Sequence, residues 1–142
     1  MGSTALLTAE WVLSALLLAI VAVGAFLWLR RRYIAQGRPL LLGALRTDVE
    51  PRWRLGLIRL RGERFEWFSV GGPRLGPEHT WSRQELDLGA PQPITEEIPG
   101  LAEAVYMTTG RPGAELALTP STYTAIRAWH ESAPPGLGVN VV

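Results

Sequence analysis

The chain has 142 residues, no cysteine and a formal net charge of +1 at pH 7. The missing cysteine excludes disulfides, thiolate metal sites and cysteine nucleophiles. Once the apolar N-terminal stretch and its flank are set aside, about 90 residues remain, enough for one small domain.

Residues 1–10 carry no arginine or lysine and one acid, Glu10. They are expected to form a very short extracytoplasmic N-terminus. Residues 11–29 hold no charge, and Ser14 is their only hydroxyl. As a helix they span about 28 Å, close to the roughly 30 Å hydrocarbon core of a bilayer. Trp11 and Trp28 stand near the two ends, where amphipathic rings prefer the headgroup level. The stretch reads as a transmembrane helix. A cleaved signal peptide would want a basic n-region and a shorter apolar core, and neither is present.

Arg30, Arg31, Arg32, Arg38 and Arg46 follow the span, against no basic residue before it. By the positive-inside rule this puts the C-terminal side in the cytoplasm, with the chain a single-pass protein of the inner (plasma) membrane. From Arg30 to Arg64 there are ten arginines against three acids, a net of +7; from Phe65 onward four stand against nine, a net of −5. A basic segment beside the membrane is attracted to the anionic inner leaflet. Aromatic residues are hardly interleaved among the first arginines and the overall balance is far from basic, so nucleic acid is not an expected partner.

Residues 30–51 read as a basic juxtamembrane connector. Gly37-Arg38-Pro39 breaks the helix, and Leu40-Leu41-Leu42-Gly43-Ala44-Leu45 is an apolar run too short to cross a bilayer, left either to lie in the interface or to tuck against the domain. Residues 52–132 read as a cytoplasmic β domain. Residues 53–61 alternate as a strand with a phase slip at Leu57-Ile58, which suggests a bulge near Gly56 or Leu57. Gly62-Glu63 has the pattern of a type II′ turn into a return strand over residues 64–70. Further strands are expected over residues 79–82, 84–88, 101–108 and 114–118, with a rigid turn at 90–93 and irregular chain at 94–99. Thr119-Pro120 signals a helix start, and Tyr123, Ile126 and Trp129 or His130 fall on one stripe of a helix over 119–132. Residues 133–142 are expected to be a flexible tail. The fold class is thus one transmembrane helix and a small, mainly antiparallel β domain closed by a C-terminal amphipathic helix.

Several short strands closed by one such helix, with Trp129 in it, resemble the pattern of pleckstrin-homology-like domains over residues 52–132. There the helix plugs one end of a bent sheet or barrel and its tryptophan is buried. A sharper resemblance covers nearly the whole chain. Leu45-Arg46, Trp53-Arg54-Leu55-Gly56 with Arg59, Trp67-Phe68, Arg74 with Pro77, Arg83, Glu115-Leu116-Ala117-Leu118 and Trp129-His130-Glu131-Ser132 resemble an uncharacterised family of actinobacterial single-pass membrane proteins. That family is a domain of unknown function, commonly encoded beside the F-type ATP synthase genes. The resemblance implies topology, fold and a hint about partners, and no chemistry. This chain lacks a strongly basic C-terminus, so any role of such a tail does not carry over.

No catalytic, cofactor or metal site is expected. His130 and Glu131 are helix neighbours that do not face each other, and His79 is read as an exposed polar residue. Glu96-Glu97 reads as a solvated pair, and Gly71-Gly72-Pro73-Arg74-Leu75-Gly76 lacks the Lys-Ser/Thr of a phosphate loop. Arg52, Arg54, Arg59, Arg61 and Arg64 crowd the first hairpin. Of these, Arg54, Arg59 and Arg61, together with Arg30, Arg31 and Arg32, are the candidates for gripping lipid phosphates. Trp53, Phe65, Trp67, Tyr123 and Trp129 are expected in the core. The leading function is a non-catalytic, membrane-anchored binding or scaffolding protein. The alternative is an accessory or assembly partner of a membrane enzyme such as the ATP synthase, with Ala15, Ala19, Ala22 and Ala25 permitting helix packing. A membrane-tethered hydrolase is the least favoured class.

Overall fold

A computed structural model describes residues 2–132; the expected flexible tail at 133–142 lies outside the described residues. The chain divides into two units, Met1–Gly37 and Arg38–Val142. The first is one helix, α1 (Gly2–Ala35), 34 residues long. It is longer than the span read from hydropathy: residues 2–10, expected as a separate N-terminus, and Arg30 to Ala35, assigned to the connector, are both helical. Extension costs no new nucleus and meets no proline. The helix stops where Gln36 and Gly37 take positive φ, 43° and 75°. Large apolar side chains are exposed on every side of it, Trp11 at 76% and Leu13, Leu17 and Val21 at 60% or more. It is long and apolar enough to cross a membrane.

The second unit is a seven-stranded antiparallel sheet curled into a half-barrel, with one short helix. Its strands are β1 (Leu41–Thr47), β2 (Arg54–Arg61), β3 (Arg64–Ser69), β4 (His79–Ser82), β5 (Gln92–Pro93), β6 (Val105–Thr108) and β7 (Ala114–Leu118), followed by α2 (Pro120–Glu131). The order across the sheet is β4-β3-β2-β1-β7-β6-β5. First and last strands therefore pair, Ala44 opposite Ala117 and Leu45 opposite Leu116.

β1 takes up most of the apolar run in the segment read as connector, and of its two expected places it takes the one against the domain. The run from Leu41 to Leu45 is the middle strand, buried on both faces, and such strands read as continuous apolar runs without alternation. Leu41 and Leu45 face an inner core with Ile58, Phe65, Trp67, Trp81, Leu86, Met107, Leu116, Leu118 and Ile126. Ala44 and Leu42 face a second core, where Ile98, Leu101 and Ala104 cover the other side of the sheet with Ala117, Trp53 and Leu55.

The same double burial explains the phase slip in β2. Its register runs unbroken, Gly56 opposite both Gly43 and Ser69 and Ile58 opposite both Leu41 and Trp67, so no bulge is present. Leu55 is apolar because it packs on the second core. The expected turn forms at Gly62, φ 55°, as a type II′ turn requires at its first position. A Cβ at Gly56 would stand 2.2 Å from Trp67 Cε2, and one at Gly43 would stand 2.6 Å from Ile58 Cδ1. Gly56 makes the floor on which the Trp67 indole lies, and Gly43 leaves the space that Ile58 and Leu118 fill.

Residues 84–88 form no strand. Ser82 N donates to Glu85 Oε2 (3.1 Å) and Glu85 N donates to Ser82 Oγ (3.3 Å), a capping-box exchange that turns the chain. Leu86 is nonetheless buried in the inner core and Leu88 packs against it. The strand expected over 101–108 is shortened to β6, because Leu101 and Ala104 turn onto the second core, with Gly100 and Glu103 at positive φ. The turn at 90–93 yields a two-residue edge strand, β5, where Pro93 is tolerated.

α2 starts as its sequence dictates. Thr119 caps it, accepting from Thr122 N at 3.3 Å, and Pro120 fills the first turn. Ile126 is buried in the inner core, and Tyr123 and Trp129 pack against it. Trp129 is half-buried, where the pleckstrin-homology-like pattern implied full burial, because its indole edge reaches the β2–β3 turn.

Candidate functional site

The three candidate arginines on β2 do not form one face. Side chains alternate along β2, so Arg54, five residues before Arg59, points to the opposite side of the sheet from Arg59 and Arg61. Arg54 bonds Glu50 and, at 3.1 Å, Glu78, tying the β1–β2 loop to the β3–β4 loop. Burial works to lower its pKa, but the bond to Glu50 and the charge of Glu78 outweigh it and the pKa is raised. Arg59 is buried with Glu66, its Nε and Nη2 both 2.7 Å from Glu66 Oε2, and it lies 4.9 Å from the Phe68 ring centre. Both guanidiniums, read from the sequence as candidate phosphate grips, have carboxylate partners within the domain. Arg61, at the hairpin tip, is exposed. Arg30, Arg31 and Arg32 occupy the last turns of α1; Arg31 and Arg32 are exposed, and Arg32 sits 5.5 Å from the Trp28 ring.

Among the described residues, two arginines without a carboxylate partner stand together at the hairpin tip. Register puts Arg61 directly opposite Arg64, and both side chains are exposed. Glu63, between them, stands 3.5 Å from Arg83 Nη1 instead. Arg83 is buried at the tip: its Nη2 donates to Gly62 O and its guanidinium lies 4.5 Å from the Trp129 ring. Arg64 is not among the candidate contacts expected from the sequence. The signal was available, since a two-residue turn at Gly62-Glu63 makes Arg61 and Arg64 a facing pair.

At the other end of the half-barrel, His79 differs from its reading as exposed. It is half-buried between two tryptophans, 5.8 Å from the Trp67 ring and 5.8 Å from Trp81, on which it stacks. Burial lowers its pKa, Arg111 and Arg54 lower it further, and Glu78 opposes them. A cavity of about 660 Å³ lies nearby, lined in part by Arg46, Asp48, Arg111 and Glu115. Arg46 is already held there by Glu115 (Nε to Oε2, 2.8 Å) and lies 4.4 Å from the Trp53 ring. Glu96 and Glu97 are exposed on the loop over the second core. Among the described residues, no three of His, Asp and Glu gather as metal ligands would.

No curated protein and no solved structure matches the chain. A family model described as a protein of unknown function (DUF2550) matches residues 16–136, from within α1 to beyond α2, and the chain belongs to that family.

Proposed function

We propose that this chain is a single-pass inner-membrane protein whose β domain serves, on the cytoplasmic side, as a non-catalytic binding or scaffolding module. The observation that carries the reading is α1. Apolar side chains cover its whole circumference from Trp11 to Leu29 and stay exposed, which costs heavily in water and nothing in hydrocarbon. Arginines at 30–32 end the apolar run and supply the positive-inside bias. The strand order, with first and last strands paired and one C-terminal helix packed on the inner core, supports a pleckstrin-homology-like reading of the domain. Folds of this kind serve many functions, so the fold alone names no ligand.

Two measurements test the proposal. Alkaline carbonate extraction should leave the full chain in the membrane pellet; release into the supernatant contradicts the anchor. Crosslinking from the β domain in native membranes should give a reproducible protein or lipid adduct there. A domain that yields none, in a chain still anchored, contradicts the scaffolding role.

A second reading has one observation in its favour. Ala15, Ala19 and Ala22 share one face of α1 and would let another helix approach closely. On this reading the chain is an accessory of a membrane enzyme complex, the F-type ATP synthase being the instance implied by the family resemblance. Crosslinks to a membrane protein would then come from the span and not from the domain.

A further inference from the structure

Arg61 and Arg64 face each other across the β2–β3 turn. Like charges at facing strand positions repel, and among the described residues neither guanidinium has a hydrogen bond or ion pair. Arg46, Arg54, Arg59, Arg83 and Arg127 each have a carboxylate. The facing pair is also held firmly in place. Gly62 O, at the turn, accepts from Arg83 Nη2 and from Trp129 Nε1, each at 3.0 Å, which fastens the tip to α2. The tip lies at the end of the sheet where β1 begins, since Leu41 stands opposite Ile58, three residues before Arg61. Arg38, exposed, precedes β1 at that end.

We propose that Arg61 and Arg64 clamp the phosphate of an anionic membrane lipid, with Arg38 adding to the attraction. A phosphate between two guanidiniums turns their repulsion into two charge-assisted pairs with fork geometry. The inference rests on the anchored reading. The six Cα–Cα steps from Ala35 to Leu41 reach about 20 Å at most, so a membrane-spanning α1 keeps the start of β1 within that distance of its own end. The source of the phosphate is the leaflet, and Arg54 and Arg59 take no part.

The test uses the full chain in vesicles. The chain has no native cysteine, so Ser132→Cys, three residues past Trp129, gives a unique fluorophore site near the tip. The vesicles carry a headgroup-nitroxide lipid in phosphatidylcholine, with or without phosphatidylglycerol. The expected result is quenching that strengthens with the anionic lipid. Each arginine near such a surface shifts the docked-to-undocked ratio about fivefold, so Arg61→Gln with Arg64→Gln lowers it about 25-fold. Quenching that ignores lipid charge, or survives the double substitution, overturns the clamp. So does release of the tip by inorganic phosphate at constant ionic strength, which would assign the pair to a free anion. A separate label at Ser14→Cys, read against an acyl-chain nitroxide, reports the anchor. If that label is quenched and the tip is not, the clamp alone fails; if it is not quenched, the anchored reading fails and the clamp with it.

Discussion

The indole Nε1 of Trp129 donates to the carbonyl oxygen of Gly62 at 3.0 Å, joining residues 67 positions apart in the chain. One bond thus fastens the C-terminal helix to the tip of the first hairpin. Arg83 reinforces it by donating to the same oxygen and lying over the indole ring.

Trp129→Phe keeps an aromatic ring, though a smaller one, and removes the donor. It should destabilise the domain by about 1 kcal/mol, the net worth of one such bond. Thermal melting of the full chain in detergent, followed by near-ultraviolet circular dichroism, checks it. An unchanged midpoint would mean that the bond contributes nothing to closure.

Gly56→Ala puts a methyl where Trp67 lies, 2.2 Å from Cε2. Trp67 is fully buried and has no room to withdraw. The expected loss is about 1–3 kcal/mol, from overpacking. Gly71→Ala, with open space at its Cβ, is the control and should be near neutral. Equal effects at the two sites would contradict the packing account.

Glu66→Ala leaves the Arg59 guanidinium buried without its carboxylate. Both side chains are less than a tenth exposed, so the loss should be about 3–5 kcal/mol. Replacing both, Arg59→Met with Glu66→Leu, should recover most of it, since an apolar pair of similar volume removes the desolvation cost. If the double variant is no better than the single, the pair contributes more than charge balance.

His79 should make stability fall with acid. Its pKa is lowered from the ordinary 6.5, chiefly by burial. The unfolded chain therefore takes up the proton at higher pH than the folded one. This contribution is present in full above about 6.5 and is lost as pH falls from there towards the lowered folded value. His79→Gln should flatten the pH dependence of melting just below 6.5, and an unchanged profile would show that other groups set it.

How much of this was legible in the sequence depended on how many faces an element buries. α1 could be read directly as a long apolar helix, because no charge and no proline interrupts residues 11–29. β2, β3, their turn and the cap of α2 were legible because turn glycine and cap threonine carry local instructions. β1 was not. A strand buried on both faces loses alternation, and between a helix and a loop its leucines look like connector. The pairing of Arg59 with Glu66 follows only once register is known. The Ser82–Glu85 exchange was legible, since Ser-x-x-Glu is a turn signature, but the alternating leucines at 86 and 88 suggested a strand instead.

The central claim is that α1 crosses the bilayer with the β domain on the cytoplasmic side. Single cysteines at Ser3 and at Thr95, exposed on the loop over the second core, can be probed in intact cells with a membrane-impermeant maleimide. The account predicts that Ser3→Cys is labelled in intact cells and Thr95→Cys only after lysis. Labelling of Thr95→Cys in intact cells would contradict it.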